Sequence, residues 1–174
     1  MLMRAVLGAI LASLMLVMAL LQPVSLLRVE TGDGELVICA RVDADTPVTL
    51  TFTHSMFGGF VRETYTVDDE RLVRQQIMTE NAAAAEYYAT DGRVASVPDG
   101  YEVLAGPFST DELVVRVDGI GNHQLTAGET NWRMYEIFRE PAQVRISGDS
   151  TPRIRVPDAC LSRGANPATK GLIV

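Results

Sequence analysis

Hydrophobic and polar residues alternate with a period of two along most of this chain, and that period predicts strands. The clearest case is Val48 to Val67, VTLTFTHSMFGGFVRETYTV, where two alternating runs flank Gly58 and Gly59. A Gly-Gly pair between such runs predicts a two-residue hairpin turn, because both positions take φ > 0 at little cost. In the resulting register Phe57 pairs with Phe60, and Met56, His54, Phe52 and Leu50 face Val61, Glu63, Tyr65 and Val67 on one side of the ribbon. Ser55, Thr53 and Thr51 meet Arg62, Thr64 and Thr66 on the other. A one-residue slip would set the apolar face of one strand beside the threonine face of the other, so the loop must have an even length. A four-residue loop also satisfies this and makes His54 and Glu63 diagonal neighbours.

Similar patterns surround the ribbon. Leu26 to Thr31 and Glu35 to Val42 read as strands joined at Gly32-Asp33-Gly34, and Arg71 to Thr79 follows a turn at Asp68-Asp69, which makes five strands in a meander. Asn81 can cap a short helix over Ala82 to Glu86, with Tyr87 and Tyr88 at its end. Asp91 to Gly100 is loop-like. Strands resume at Tyr101 to Ala105, Glu112 to Val117, His123 to Thr126 and Trp132 to Phe138, and Ala142 to Ser147 is the last of them. Many short strands with regular turn signals imply a mainly β fold, a single small antiparallel β-sandwich or barrel-like domain over 26–147. The segment 148–174 lacks periodicity and reads as an irregular tail suited to lying along a partner.

The period of two is absent from the amino-terminal segment, 1–25. Ala5 to Leu21 is seventeen residues without a charge, preceded by Arg4 and followed by Gln22 and Pro23. As a helix it spans roughly 26 Å, close to the hydrocarbon thickness of a bilayer and longer than the usual apolar core of a signal peptide. Leu20 to Leu27 holds no Ala-x-Ala cleavage site. The expectation is therefore an uncleaved transmembrane anchor through residues 5–21, with a cleaved signal as the alternative. Arg4 on the inner side gives an N-in topology and places the domain in the periplasm.

Charge narrows the partners. The chain carries 15 basic and 22 acidic residues, a formal net charge of −7. Such a surface repels phosphate backbones, and no basic stripe interrupts it, which argues against nucleic acid. Membrane contact should come from the apolar terminus. Cys39 and Cys160 suit an oxidising space, where they could close a loop of about 120 residues; two unpaired thiols are the alternative. No cysteine and histidine spacing suggests zinc.

Candidate chemistry centres on the only two histidines, His54 and His123. In one reading His54, Glu63 and His123 converge as a two-histidine, one-carboxylate set suited to a divalent transition metal. In the simpler one, His54 and Glu63 form a buried structural pair that satisfies both polar groups, and His123 lies in a turn. Small-ligand binding is a third use of the same face. Ser55 follows His54 directly, so alternation sends the two side chains to opposite faces and gives no Ser-His dyad. Asp68, Asp69 and Glu70 form a solvated turn, and Gly119-x-Gly121 lacks the following helix of a phosphate loop. No catalytic residue and no cofactor is assigned, so the sequence reads as a non-enzymatic protein.

The segment Leu50-x-Phe52-Thr53-His54-Ser55 leading to Val61-x-Glu63-x-Tyr65 resembles a bacterial family, the domain-of-unknown-function family eighteen-fifty. A second echo is Leu113-x-Val115-Arg116-Val117 followed by His123-x-Leu125. The likeness covers roughly Leu26 to Ser147. It departs at Gly59-Phe60, where the family tends to have Thr-Pro, and at Ala82 to Ala85, where it tends to have a Phe-Gly-Ala-Gly-Leu-Pro loop. Members are small anchored proteins often encoded beside TRAP-type transporter permeases of the TAXI class. The resemblance thus implies an extracytoplasmic β-domain at the bacterial inner membrane, with integral membrane protein subunits as partners. A photosynthetic or respiratory assembly would use the same design.

Overall fold

The computed structural model describes the backbone of residues 2–90 and 92–161, and the side chains of that set other than residues 2–5, 9, 159 and 161. Helix α1, Leu2–Leu21, ends two residues before Pro23, whose missing N–H and ring bar the helical path. The chain then enters β1, Pro23–Thr31, which pairs with β2, Leu36–Val42. Thr31 N donates to Glu35 O (2.9 Å) across the turn between them.

The fold is mainly β and its sheets are antiparallel. Sheet one has the order β2-β1-β12-β9, where β9 is Glu112–Val117 and β12 is Ala142–Pro152. Sheet two begins with β11, Thr130–Arg133, then β10, Gln124–Ala127, and β3, Val48–Thr53, followed by β4, Phe60–Asp68, and β5, Arg71–Thr79. It ends with β7, Gly100–Leu104, and β6, Arg93–Val97, while β8, Phe108–Thr110, pairs with the opposite end of β5. The expected five-strand meander is thus divided, with β1 and β2 in one sheet and β3, β4 and β5 in the other. The reason is burial: Leu27, Val29, Ile38 and Val42 need a second layer, and they share one core with Val48, Leu50, Tyr65 and Val67.

Three further expectations change. The loop-like stretch 91–100 contains β6, which turns through Pro98 and Asp99 into β7, with Gly100 at φ 130°. The strand expected over Trp132 to Phe138 splits into β11 and helix α3, Met134–Phe138. Met134, Ile137 and Phe138 have helical spacing and pack on the core, while Met134 N donates to His123 O (2.9 Å). Strand β12 continues past Ser147 to Pro152 because the start of β1 supplies its partners, Leu27 against Gly148 through Pro23 against Pro152. Beyond it lie a 3-10 turn, Arg153–Arg155, and helix α4, Asp158–Leu161. The rest of the expected tail, 162–174, is outside the described residues.

A disulfide joins Cys39 of β2 to Cys160 of α4. Val24 and Leu26 surround it, with Leu36 and Val156 at the margin, so sheet one buries part of its outer face beneath the carboxy-terminal helix. Sheet two has a second apolar cluster, Val61, Ile77 and Val103, capped by Ala85 of helix α2, Ala82–Tyr88. The alanine run lets this helix lie close to the strands, with Ala84 and Ala85 fully buried.

Helix α1 stands apart from these cores. Val6, Leu7, Ile10, Leu11 and every residue of Leu14–Met18 are exposed, Met15 at 74%. Among the described residues no helix is long and apolar enough to cross a membrane, the described side chains of α1 being those of residues 6–8 and 10–21.

Candidate functional site at the β3–β4 loop

Pairing between β3 and β4 runs from Val48 against Tyr65 to Thr53 against Phe60. The loop is therefore six residues, His54 to Gly59, neither two nor four. Its even length keeps the inner and outer faces as the alternation predicts, so Leu50, Phe52 and His54 share the inner side with Val61, Glu63 and Tyr65. The register itself is corrected: Glu63 lies opposite Leu50, and His54 pairs with Gly59 through His54 N to Gly59 O (2.9 Å). His54 and Glu63 are two inner rows apart, about 13 Å along the strand at its usual rise.

The loop is wide because His54 organises it. The His54 Nδ1 accepts the backbone N–H groups of Met56 (3.2 Å) and Phe57 (3.3 Å), and His54 O accepts from Gly58 N (2.9 Å). Gly58 and Gly59 supply positive φ angles of 65° and 72° at the return. Asn81 ties this loop to α2: its Oδ1 caps the helix at Ala83 N (2.9 Å) while its Nδ2 donates to Phe57 O (2.9 Å). Glu80 accepts from Phe60 N (3.2 Å) through Oε1.

This tie brings Tyr87 and Tyr88 over the histidine. Ring centroids of Phe57, Tyr87 and Tyr88 lie 4.9, 5.6 and 5.9 Å from that of His54, the two tyrosines presenting edge-on geometry. His54 is buried at 7% exposure beneath them. The sequence placed both tyrosines at the helix end; it gave no sign that they cover the histidine.

Glu63 has a different partner from the one expected. Its Oε2 accepts from the Tyr65 hydroxyl at 2.5 Å, and Arg74, opposite Tyr65 on β5, adds an attractive charge. Burial nevertheless raises the Glu63 carboxyl above its ordinary range, and the hydrogen bond and Arg74 only oppose that. Desolvation, together with the nearby carboxylate, raises the Tyr65 and Tyr88 hydroxyls as well. The structural pair is thus Glu63 with Tyr65, not Glu63 with His54. Residues at i and i+2 of a strand share a face, so Glu63-x-Tyr65 carried that signal in the sequence.

His123 stacks on Phe52, ring centroids 5.5 Å apart. Its pKa is lowered by desolvation, with Asp118 acting in the opposite sense. Its Nδ1 and the Trp132 Nε1 are buried without a hydrogen-bond partner among the described residues. His123 does not join His54 and Glu63: among the described residues no group of three or more His, Cys, Asp or Glu side chains is placed to hold a metal ion. The three-residue metal set is thereby corrected, since the six-residue loop carries His54 two rows from Glu63. Elsewhere an open recess of ≈ 870 Å³ is lined by Asp69, Glu70, Arg71, Asp111 and Asp149, with Arg71 and Asp111 paired at 2.7 Å.

The match to known proteins falls on this region. Residues 48–134 match the family model described as a domain of unknown function, DUF1850. The chain belongs to that family. The matched segment starts at β3, takes in the loop, α2, all of sheet two and β9 of sheet one, and reaches the first residue of α3; α1, β1, β2 and β12 lie outside it. No curated protein and no solved structure matches the chain. In this chain the matched segment holds a hydrogen-bonded and aromatic enclosure: the His54 Nδ1 is committed to the backbone and the Glu63 carboxyl to Tyr65.

Proposed function

We propose that this protein is a non-enzymatic accessory subunit of an integral membrane protein assembly, held in the membrane by α1 with its β-sandwich in the extracytoplasmic space. The observation that carries this reading is the surface of α1. Five consecutive exposed apolar residues, Leu14–Met18, advance about 100° each and so turn an apolar side chain in every direction around the axis. A helix that is apolar all round belongs in an apolar medium. At 1.5 Å per residue the whole of Leu2–Leu21 is about 30 Å long, with Arg4 its one charge, whereas the stretch from Val6 onward is about 24 Å. The disulfide between Cys39 and Cys160 favours an oxidising compartment for the domain.

The His54 and Glu63 surroundings support a scaffold in place of a reaction centre, because both side chains are occupied in holding the loop and β4 together. Family resemblance makes a transporter the first assembly to consider, and a photosynthetic or respiratory complex the next. Purification of the full chain from its native membranes in mild detergent tests this. Co-migration with a second integral membrane protein is expected, and a chain that always runs as a lone monomer would contradict it.

A further inference from the structure

We propose that the 3-10 turn Arg153–Arg155 rests on the membrane surface beside the end of α1, with Ile154 entering the headgroup boundary and Arg153 and Arg155 meeting anionic lipid phosphates. The proposal deepens the reading just given and rests on α1 lying in the membrane. The turn sits at the base of that helix: Arg153 N donates to Gln22 O (3.0 Å), and Pro152 pairs with Pro23 at the start of β1. Val156 N closes the turn onto Arg153 O (3.3 Å), which fixes the direction in which its side chains leave the domain.

Those side chains form the pattern of an interfacial contact. Ile154 is 62% exposed, between two exposed arginines that have no ion pair among the described residues. Other arginines of sheet one behave differently: Arg28 and Arg145 both engage Glu30, and Arg41 lies 4.0 Å from Asp43. On a chain of net charge −7, an Arg-Ile-Arg without an ion pair among the described residues, at the foot of an apolar helix, concentrates positive charge where anionic headgroups would lie. Near a membrane surface each such arginine adds attraction that decays within a Debye length. With α1 and this turn both engaged, the domain has two points of support and a fixed tilt.

Ile120 provides an internal control. It is 76% exposed and follows β9, whose Val117 pairs with Ala142, the end of β12 opposite Pro152. That separation is about 33 Å at the usual rise per residue. The test places a solvent-sensitive fluorophore on Ile154→Cys or Ile120→Cys in the full chain, since Cys39 and Cys160 are closed in a disulfide. Each labelled protein is reconstituted into phosphatidylcholine vesicles with and without phosphatidylglycerol, and flotation reports α1 separately. The expected result is a blue-shifted emission at 154, larger with phosphatidylglycerol and reduced by salt or by Arg153→Glu with Arg155→Glu, and an aqueous emission at 120 throughout. A label at 154 that is as aqueous as that at 120 in vesicles that float would overturn the proposal and leave α1 in the membrane. A shift at 154 that needs a co-purified protein would also overturn it, by assigning the turn to a protein contact. Failure to float at all overturns the membrane reading of α1 and this inference with it.

Discussion

Glu63 is enclosed with one neutral donor, the Tyr65 hydroxyl, and with Arg74 at a distance; burial therefore outweighs both and raises its pKa. A raised carboxyl means that the folded state holds this proton more tightly than the unfolded chain does. The contribution of Glu63 to stability is then greatest at acid pH, declines as pH rises from its ordinary value of 4.5 through the raised one, and is constant above it. Glu63→Gln keeps an acceptor for Tyr65 and removes that decline, so the variant should gain on the wild type between pH 4 and pH 7 in urea unfolding; parallel curves would contradict the assignment. Tyr65→Phe leaves the carboxyl without its donor and should cost about 1–3 kcal/mol at pH 7, with a smaller loss in the Glu63→Gln background. At His54 the relevant group is Nδ1 as an acceptor. Asparagine offers an oxygen at the same position, so His54→Asn should retain about 1 kcal/mol relative to His54→Ala in the same unfolding measurement. The inward placement of all three residues was legible from alternation alone. Which of them bond was not, because that depended on the loop length, and two glycines with φ > 0 serve a six-residue loop as well as a two-residue one.

Among the elements, strands with clean alternation and turn residues at their ends were legible: β2, β4, β5 and β9 lie where the pattern puts them, and β3 starts there but ends at Thr53, short of the expected turn. Those set by tertiary contact were not. Strand β6 pairs with β7 alone among the described strands, and α3 takes a sequence whose apolar residues fit either period, Trp132 belonging to the strand and Ile137 and Phe138 to the helix. The division of β1 and β2 from β3 follows from packing two inner faces together, which spacing along the chain does not express. Two substitutions probe that packing. At Gly148 a Cβ would lie 2.8 Å from Val67 Cγ1, where β12 crosses β4, so Gly148→Ala should destabilise the domain by about 1–3 kcal/mol. Replacing Cys39 and Cys160 by alanine reopens a loop with a sequence separation of 121 and frees α4 from β2. In the chain-entropy model the loss is about 4–5 kcal/mol, and denaturant midpoints with and without reductant should reproduce it on the wild-type chain.

At the scale of the whole molecule, α1 and the exposed turn at 153–155 lie at one end of β12, and the His54 loop lies toward the other: Thr53 N donates to Gly121 O (2.7 Å), in the turn that follows Val117. With α1 in the membrane, as proposed, the enclosed aromatic end would point away from the bilayer and the two-sheet domain would sit close to the surface at the opposite end. That polarity is what the proposed anchored role requires, and it depends on α1 being in lipid. Alkaline carbonate extraction of native membranes tests that dependence most directly. The full chain should remain in the membrane pellet, and a chain lacking residues 1–21 should appear in the supernatant with its disulfide-closed domain intact. Release of the full chain into the supernatant would contradict the account.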